Sequence, residues 1–234
     1  MEAVHFPASD GTRLSGWLFG KRGAPIVIMA PGLTGTKESF YADFAKAFVA
    51  RGMAVLLFDY RCCGESEGTP RYWVDPLRQV EDYGAAIKFA RTFSPSIALW
   101  GTSFSGGVAL VAAEADPIVS AVVAQCPYLE TSDEQQPKGL TMARFVAAAT
   151  LDMVGLFPVY IPAFGRPGEF AFCTSAENPS RKDGSGGHPF WKEVSTRNWE
   201  NKILARMLAR LDDFSPMRAV EALRVPVLMI AGIK

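Results

Sequence analysis

Uninterrupted apolar runs alternate with helical segments along most of this sequence. The runs APIVIMA, MAVLLFDYR, SIALWG and IVSAVVAQ are typical of strands that are buried on both faces of a sheet. Stretches with helical spacing lie between them, and DGT between two β-like pieces predicts an antiparallel hairpin at the start. Strict strand–helix alternation is typical of a mostly parallel, doubly wound sheet with helices on both faces. We therefore predict an α/β fold.

This alternation breaks between residues 126 and 212, in aromatic and polar segments that include ENPSRKDGSGGHPFW. Such an interval is too long for an ordinary connection between a helix and a strand. We predict that residues 1–125 form the N-terminal part of the core, that 126–212 are an inserted cap, and that 213–234 return to the core through the strand VPVLMIAG. The length of 234 residues, 49% of them hydrophobic, is enough for one sizeable core.

A strand that turns sharply into a helix is predicted by ALWGTSFSGGVAL, residues 98–110. A serine nucleophile at such a corner needs small residues two positions before and after it. Gly101 and Ser105 meet this requirement for Ser103, and Gly106 follows. A frame centred on Ser105 is an alternative, although it lengthens the apolar strand by two polar residues, and an ordinary tight turn is another. We predict that Ser103 is the nucleophile.

Two further segments support this interpretation of the corner. PGLTGTKES follows the first predicted parallel strand, and a loop there can aim backbone N–H groups at a developing oxyanion. The predicted donors are the backbone N–H groups of Leu33 and of Phe104, which directly follows the nucleophile. The second segment is FDYRCCGESEGTP, at the exit of the second parallel strand.

Through APGLTGTKE, FDYRCCGESEG and LWGTSFSGG, the chain resembles the α/β-hydrolase superfamily, its dienelactone-hydrolase-like branch and particularly the fungal polyketide transferase family. The resemblance implies an α/β-hydrolase fold that here lacks the last strand and helix. It also implies hydrolysis or transfer of a lipophilic (polyketide or fatty) acyl group from an ester or thioester through an acyl-serine, in secondary-metabolite or toxin biosynthesis. Asp59 and Arg61 would have structural roles. Pro31 stands where many relatives have histidine, which we expect to change the support of the loop but not its N–H donors.

A serine hydroxyl needs a base and an acid that orients the base, and in this fold both follow the serine in chain order. The chain stops at Lys234, before the expected positions of both. His5 is predicted at an edge outside the site, whereas His188 precedes the last strand and would need a rearrangement to act as base. Glu130 and Asp133 follow the fourth parallel strand, where some hydrolases carry the acid. We expect a C-terminally truncated, nearly inactive chain with an exposed last strand, VLMI, that favours oligomers.

Three functional hypotheses follow. In the first, the protein is a serine hydrolase or acyltransferase whose cap residues line an acyl pocket; the candidates are Phe145, Met153, Phe157, Tyr160 and Phe164. Alternatively these residues only pack the cap onto the core. In the second hypothesis, the chain is a truncated, catalytically incompetent form that at most binds acyl ligands or a partner. In the third, the chain forms a homodimer or heteromer in which a full-length relative completes the exposed sheet edge. The reactivity of Ser103 separates the first hypothesis from the second.

Charge and cysteine content bear on partners and location. Lys plus Arg number 24 and equal the 24 Asp plus Glu, so we expect no binding to nucleic acid. The apolar window 145–164 contains Asp152 and two prolines, so we expect a protein-covering or substrate-facing segment and no transmembrane span. We expect a small-molecule acyl substrate, no cofactor and no metal. Four cysteines without C-x-x-C spacing and the lack of a signal peptide predict an intracellular protein, peroxisomal by family resemblance or alternatively cytoplasmic.

Overall fold

A seven-stranded sheet forms the centre of the molecule. The computed structural model describes residues 1–130, 139–165, 169–174 and 199–232. Its strands are β1 (Glu2–Pro7), β2 (Arg13–Phe19), β3 (Ile26–Ala30), β4 (Ala54–Phe58), β5 (Ile97–Thr102), β6 (Val119–Gln125), β7 (Tyr160–Ile161), β8 (Phe164–Gly165), β9 (Cys173–Thr174), β10 (Ile203–Leu204) and β11 (Val227–Ile230). The large sheet has the order β1-β2-β4-β3-β5-β6-β11. β1 and β4 each pair with β2 antiparallel, and all other pairs in this sheet are parallel.

Helices cover both faces of this sheet. They are α1 (Tyr41–Val49), α2 (Pro76–Ala90), α3 (Phe104–Ala115), α4 (Gly139–Val154) and α5 (Pro216–Ala222), with a 3₁₀ helix at Ala205–Arg210. α2 begins at Pro76, because the Asp75 carboxylate accepts hydrogen bonds from the N–H groups of Leu77 and Arg78 and proline suits the first helical position. The mostly parallel α/β-hydrolase fold that the sequence predicts is thus confirmed.

The apolar runs are uninterrupted because successive side chains of a strand enter two different cores. In β3, Ile26 and Ile28 pack in the core beneath α2 and α3, whereas Val27 and Met29 pack in the core beneath α1. All five residues of β3 are buried. Strands with both faces covered need no polar alternation, and their carboxyl ends meet at one edge, where Ser103 lies.

The chain between β6 and α5 is built differently. β7 pairs with β10, and β8 pairs with β9, over two residues each. Asp152 of α4 accepts hydrogen bonds from the side chain of Arg206 at 2.8 and 2.9 Å and from the Val159 N–H at 2.9 Å. Large apolar side chains of this region are exposed: Val146, Leu151, Met153, Val154, Leu156 and Phe157. The extent of the predicted cap stays a prediction.

Three further observations concern the surface and the cysteines. Among the described strands, β11 pairs with β6 alone, and Leu228, Met229 and Ile230 are exposed on it. Within the described ranges, no helix has both the length and the hydropathy needed to cross a membrane. All four cysteines are free thiols, and Cys62 and Cys63 are buried.

Candidate active site

Ser103 occupies the corner between β5 and α3. Its backbone has φ 53° and ψ −125°, a conformation that a residue other than glycine adopts only under constraint. The Ser103 N–H donates to the carbonyl of Gln125 on β6, and its own carbonyl accepts from the N–H groups of Gly106 and Tyr128, each at 2.9 Å. These three bonds hold the corner in place and leave the residue exposed.

The small residues around the corner are required by close backbone approach. A Cβ atom on Gly101 would collide with the backbone of Ser105 in the first turn of α3. A Cβ atom on Gly106 would lie 2.9 Å from the Cβ of Pro127, nearer than real Cβ atoms come. The corner therefore has the geometry of a nucleophile elbow.

The two serines of this corner have different environments. Ser105 is 1% exposed, and its hydroxyl shares a 2.5 Å hydrogen bond with the hydroxyl of Tyr60. The hydroxyl of Tyr83 donates to the Trp100 carbonyl at 2.7 Å and lies 3.3 Å from the Ser105 Oγ. Since Ser105 is inaccessible and hydrogen-bonded whereas Ser103 is exposed at the tip, the geometry favours the Ser103 frame.

A tight turn after β3 faces this corner. The Gly35 N–H donates to the Gly32 carbonyl at 2.9 Å, and Thr34 has a positive φ of 54°. The indole N–H of Trp199 donates to the Thr34 Oγ1 at 3.2 Å. We call residues 32–35 the oxyanion turn. Within the described part of the chain, the N–H group of Leu33 makes no hydrogen bond.

The oxyanion turn lies directly against the elbow. A Cβ built on Gly32 would lie 3.4 Å from the Ser103 Cβ and 3.3 Å from the Thr102 carbonyl oxygen. Phe104 begins α3, and the N–H of a first helical residue has no intrahelical partner. The predicted oxyanion donors, Leu33 and Phe104, thus directly follow residues that contact or carry the corner, since Leu33 follows Gly32 and Phe104 follows Ser103.

A buried ion pair fixes the end of this loop. The Asp59 carboxylate, just after β4, accepts from the Lys37 N–H at 2.6 Å and from the Lys37 Nζ at 2.7 Å. Both side chains are fully buried, and the Lys37 Nζ also lies 2.7 Å from the half-exposed Glu65 carboxylate. Burial raises the pKa of Asp59, although the Lys37 ammonium opposes this shift. The structure thus places Asp59 in a supporting position behind the loop.

Arg61 has a similar supporting position two residues further along the same β4 exit. Its Nε donates to Asp82 at 2.7 Å, and its Nη1 lies 3.0 Å from Asp10. Burial raises the pKa of Asp82 to about 6, despite the opposing charge and hydrogen bonds of Arg61. These contacts join the first hairpin, the β4 exit and α2 behind the site.

The predicted bases and acids are not brought together in the described ranges. His5 is exposed on β1, which lies four strands from β5 in the sheet order, or about 19 Å at ordinary strand spacing. His188 and Asp133 lie outside the described residues. Glu130 is exposed beside a cavity next to α4. The described ranges therefore place the predicted serine beside the turn that carries Leu33, with no histidine beside the serine.

A cavity of about 600 Å³ lies between α4, the 3₁₀ helix and the chain that follows β6. Phe145 and Met153 line it, whereas Phe157, Tyr160 and Phe164 do not. Its other walls are mainly apolar: Tyr128, Leu129, Met142, Val146, Ala149, Leu208, Leu211, Phe214 and Met217. This volume is within the range of small-molecule pockets, and flexible methionines suit apolar ligands of varied shape.

The cavity and the elbow share a wall. The ring of Phe104 lies 5.4 Å from that of Tyr128 and 5.5 Å from that of Phe214, and both of these residues line the cavity. The Tyr128 N–H also donates to the Ser103 carbonyl. The cavity therefore lies beside the serine, although Ser103 itself is not part of its lining.

Several residues around the elbow give no sequence signal. Tyr41, Tyr60 and Tyr83 fall within apolar or helical patterns where any large side chain would fit. Their hydroxyl groups act on residues nine to 45 positions away, so only the folded chain brings them to the elbow. The pairing of Asp152 with Arg206 spans 54 positions and is equally invisible to local patterns.

A family model described as Hydrolase_4, serine aminopeptidase, S33, matches residues 24–234. The quorum-quenching protein AidA of Acinetobacter baumannii (strain MDR-ZJ06) is 33% identical over 87% of this chain and 68% of its own length. The polyketide transferase af380 of Aspergillus fumigatus is 37% identical over 71% of this chain and 59% of its own length. The thiohydrolase of Eupenicillium brefeldianum is 36% identical over 70% of this chain and 55% of its own length. The chain thus spans 55–68% of the length of these relatives.

Solved structures give a similar picture. The structure of DcsB in complex with its substrate analogue superposes with a TM-score of 0.80 and 28% identity, over 98% of this chain and 80% of that chain. The α/β hydrolase GrgF from Penicillium sp. sh18 superposes with a TM-score of 0.79 and 26% identity, over 98% and 79%. The arrangement of strands and helices described above is therefore shared with these proteins.

Proposed function

This chain belongs to the Hydrolase_4 family of α/β-hydrolases, and from that premise we propose that it is a serine hydrolase or acyltransferase for esters or thioesters of a lipophilic acid. The observation that carries the proposal is the elbow, in which the exposed Ser103 lies against the oxyanion turn with two backbone donors beside it. The names of the relatives, a polyketide transferase and a thiohydrolase, support a polyketide-like acyl group and secondary metabolism as its setting.

The geometry supports an acyl-serine mechanism. The Ser103 Oγ would attack the acyl carbonyl carbon, and the oxygen of that carbonyl would accept from the Leu33 and Phe104 N–H groups while it carries negative charge. The bond to the alkoxide or thiolate leaving group would break, and the serine proton would reach that group through a histidine base, which the described ranges do not place beside Ser103. Water or an alcohol would then cleave the acyl-serine, which restores the Ser103 hydroxyl and releases an acid or a new ester.

The cavity beside the elbow is the proposed acyl site. Its walls are mostly apolar, and Phe104, Tyr128 and Phe214 form the partition between it and the serine. Phe145 and Met153 belong to the site in this proposal, whereas Phe157, Tyr160 and Phe164 would contribute only through movement of the chain around them.

The primary test is covalent labelling with an alkyl fluorophosphonate, detected by intact mass. We expect one adduct on the wild type and none on Ser103→Ala. Ser120→Ala is the matched control, because the Ser120 hydroxyl is bound to a backbone carbonyl at the far end of β6. A folded wild-type chain that stays unlabelled would contradict the catalytic proposal. If that chain still bound an acyl probe, it would favour the hypothesis of a binding protein without turnover.

A second test addresses the acyl site. Ala149 lines the cavity, whereas Ala147 of the same helix is exposed and is not part of the lining. Ala149→Phe should slow labelling by long-chain alkyl fluorophosphonates roughly tenfold relative to methyl probes. Ala147→Phe should leave that ratio unchanged. If the ratio of long-chain to methyl labelling rates were the same in both variants, the acyl group would bind outside this cavity.

A further inference from the structure

The hydroxyl group of Tyr41 contacts the oxyanion turn from behind. It accepts a 3.0 Å hydrogen bond from the N–H of Gly32, the residue that precedes the Leu33 donor. Tyr41 is the first residue of α1, so the chain leaves the oxyanion turn and returns to it nine positions later. Tyr41 is only 3% exposed.

The position of this hydroxyl is set by the strand that carries the nucleophile. The Tyr41 ring packs edge-on against Trp100 of β5, with ring centroids 6.0 Å apart, and lies 4.4 Å from the ring of Phe40. Three residues after Trp100 the same strand ends at Ser103. The oxyanion turn and the serine are thus both positioned by β5.

Gly32 has little room to move. The space where its Cβ would lie is bounded by the Thr102 carbonyl, the Ser103 Cβ and the Tyr41 hydroxyl, at 3.3, 3.4 and 3.7 Å. Of the two successive N–H groups in this turn, that of Gly32 is bound by Tyr41, whereas that of Leu33 is left for a ligand. A rotation that frees the first N–H would also redirect the second, since both belong to one short turn.

We propose that Tyr41 is a positioning residue of the active site, whose hydroxyl fixes the Gly32–Leu33 backbone so that the Leu33 N–H points at the acyl oxygen. This inference rests on the proposed function, because it assumes that the oxyanion turn serves Ser103. Phenylalanine at position 41 would pack as well as tyrosine. The tyrosine hydroxyl is needed for the hydrogen bond to Gly32. Burial raises the pKa of Tyr41 to about 12, so the hydroxyl is a neutral acceptor at any working pH.

The test compares Tyr41→Phe with the wild type in the rate of fluorophosphonate labelling over a range of probe concentrations. Loss of a whole oxyanion donor costs about 10²–10³ in rate, and misdirection of one donor should slow the maximal labelling rate at least about tenfold. The probe concentration for half-maximal rate should change less than about twofold, because ground-state binding does not use the donor. Equal maximal rates in the two proteins would overturn the proposal.

Ser94→Ala is the matched control for general loss of a buried hydrogen bond. Ser94 is 2% exposed, and its hydroxyl donates to the carbonyls of Ala24 and Ser96 at the end of β5 remote from the elbow. We expect a lower unfolding temperature in both variants but slower labelling in Tyr41→Phe alone. Equal slowing in both would show that the effect is structural, and would overturn the proposal.

Hydrogen exchange gives a readout that does not depend on labelling. In Tyr41→Phe, the peptide covering residues 31–36 should exchange faster than in the wild type, whereas Ser94→Ala should leave this peptide unchanged. Unchanged exchange in Tyr41→Phe would overturn the proposed anchoring. An unlabelled wild type would instead contradict the proposed function, and the exchange result would still decide whether Tyr41 holds the turn.

Discussion

The sheet around the elbow and the chain between β6 and α5 are held together by different kinds of contact. Around the elbow, charged groups such as Lys37, Asp59 and Arg61 are buried and paired, and apolar strands are covered on both faces. Between β6 and α5, two-residue ladders and the contact of Asp152 with Arg206 hold the chain, while large apolar side chains stay exposed. A support of buried, paired charges behind the serine thus adjoins a cavity wall that is held by fewer contacts and leaves apolar side chains exposed.

The largest expected effect is in the sheet region. Asp59→Ala would leave the half-exposed Glu65 as the remaining carboxylate partner of the fully buried Lys37 ammonium among the described residues, and should reduce the free energy of unfolding by about 3–5 kcal/mol. Denaturant titration measures this change. Glu67→Ala is the control, since its ion pair with Arg13 is more than half exposed and should contribute less than about 1 kcal/mol. If both variants lost similar free energy of unfolding, the buried ion pair would stabilise the fold no more than the exposed pair does.

A local effect is expected in the other region. Asp152→Ala leaves the N–H groups of Val159 and Arg206 without their acceptor, at a cost of about 1–3 kcal/mol. Hydrogen exchange should accelerate in residues 139–165 and 203–210 and stay unchanged in β3 and β5. Glu200→Ala, which breaks an exposed pair with Lys202, is the control. Acceleration across the whole sheet would show that the two regions unfold as one unit.

The two regions should also respond to pH with opposite signs. Burial raises the pKa of Asp82 to about 6, so its contribution to stability is complete below about pH 4 and is lost as the pH rises through 6. Burial also acts to raise the pKa of Asp152, but hydrogen bonds from Arg206 and Val159 outweigh it and lower the pKa. The contribution of Asp152 is therefore present above about pH 4 and lost below.

The measurement compares each Asp→Asn variant with the wild type by denaturant titration from pH 3 to 7. Relative to its variant, the wild type should lose roughly 2–3 kcal/mol at the Asp82 site as the pH rises from 4 to 7. At the Asp152 site, the wild type should lose its advantage as the pH falls below 4. Changes of the same sign at both sites would contradict the assignment.

The smallest effect concerns the hydroxyl groups behind the elbow. Tyr60→Phe removes the 2.5 Å hydrogen bond to Ser105 and should cost about 1 kcal/mol in thermal unfolding. Because both groups belong to one pair, Tyr60→Phe and Ser105→Ala together should cost less than the sum of the single changes. Strict additivity would show that the two hydroxyls act independently.

Local patterns explain why the fold could be predicted. β3, β4 and β5 are uninterrupted apolar runs because both of their faces are covered, and Asp75–Pro76 marks the start of α2 in the sequence itself. The elbow could also be predicted from the sequence, because glycine is needed at positions 101 and 106, where other parts of the chain approach closely. These features depend on a residue and its near neighbours.

Features that depend on distant residues could not be predicted. The bond of Tyr41 to Gly32 and that of Asp152 to Arg206 arise only after the chain has folded. The cavity combines α4 with the 3₁₀ helix, about 60 positions later. The apolar character of the window 145–164 alone grouped Phe157, Tyr160 and Phe164 with Phe145 and Met153. Aromatic residues that share a segment need not share a surface.

The conformation of Ser103 has an evolutionary consequence. A positive φ costs a residue other than glycine about 1–3 kcal/mol, whereas glycine at the same place costs about 0.5–1 kcal/mol through the unfolded chain. Ser103→Gly should therefore raise the unfolding temperature. A population of this chain selected for heat tolerance alone should accumulate glycine at this position, and one that must also keep the hydroxyl of the proposed nucleophile should retain serine. Loss of serine in favour of glycine would then mark a lineage that has abandoned the chemistry while keeping the fold.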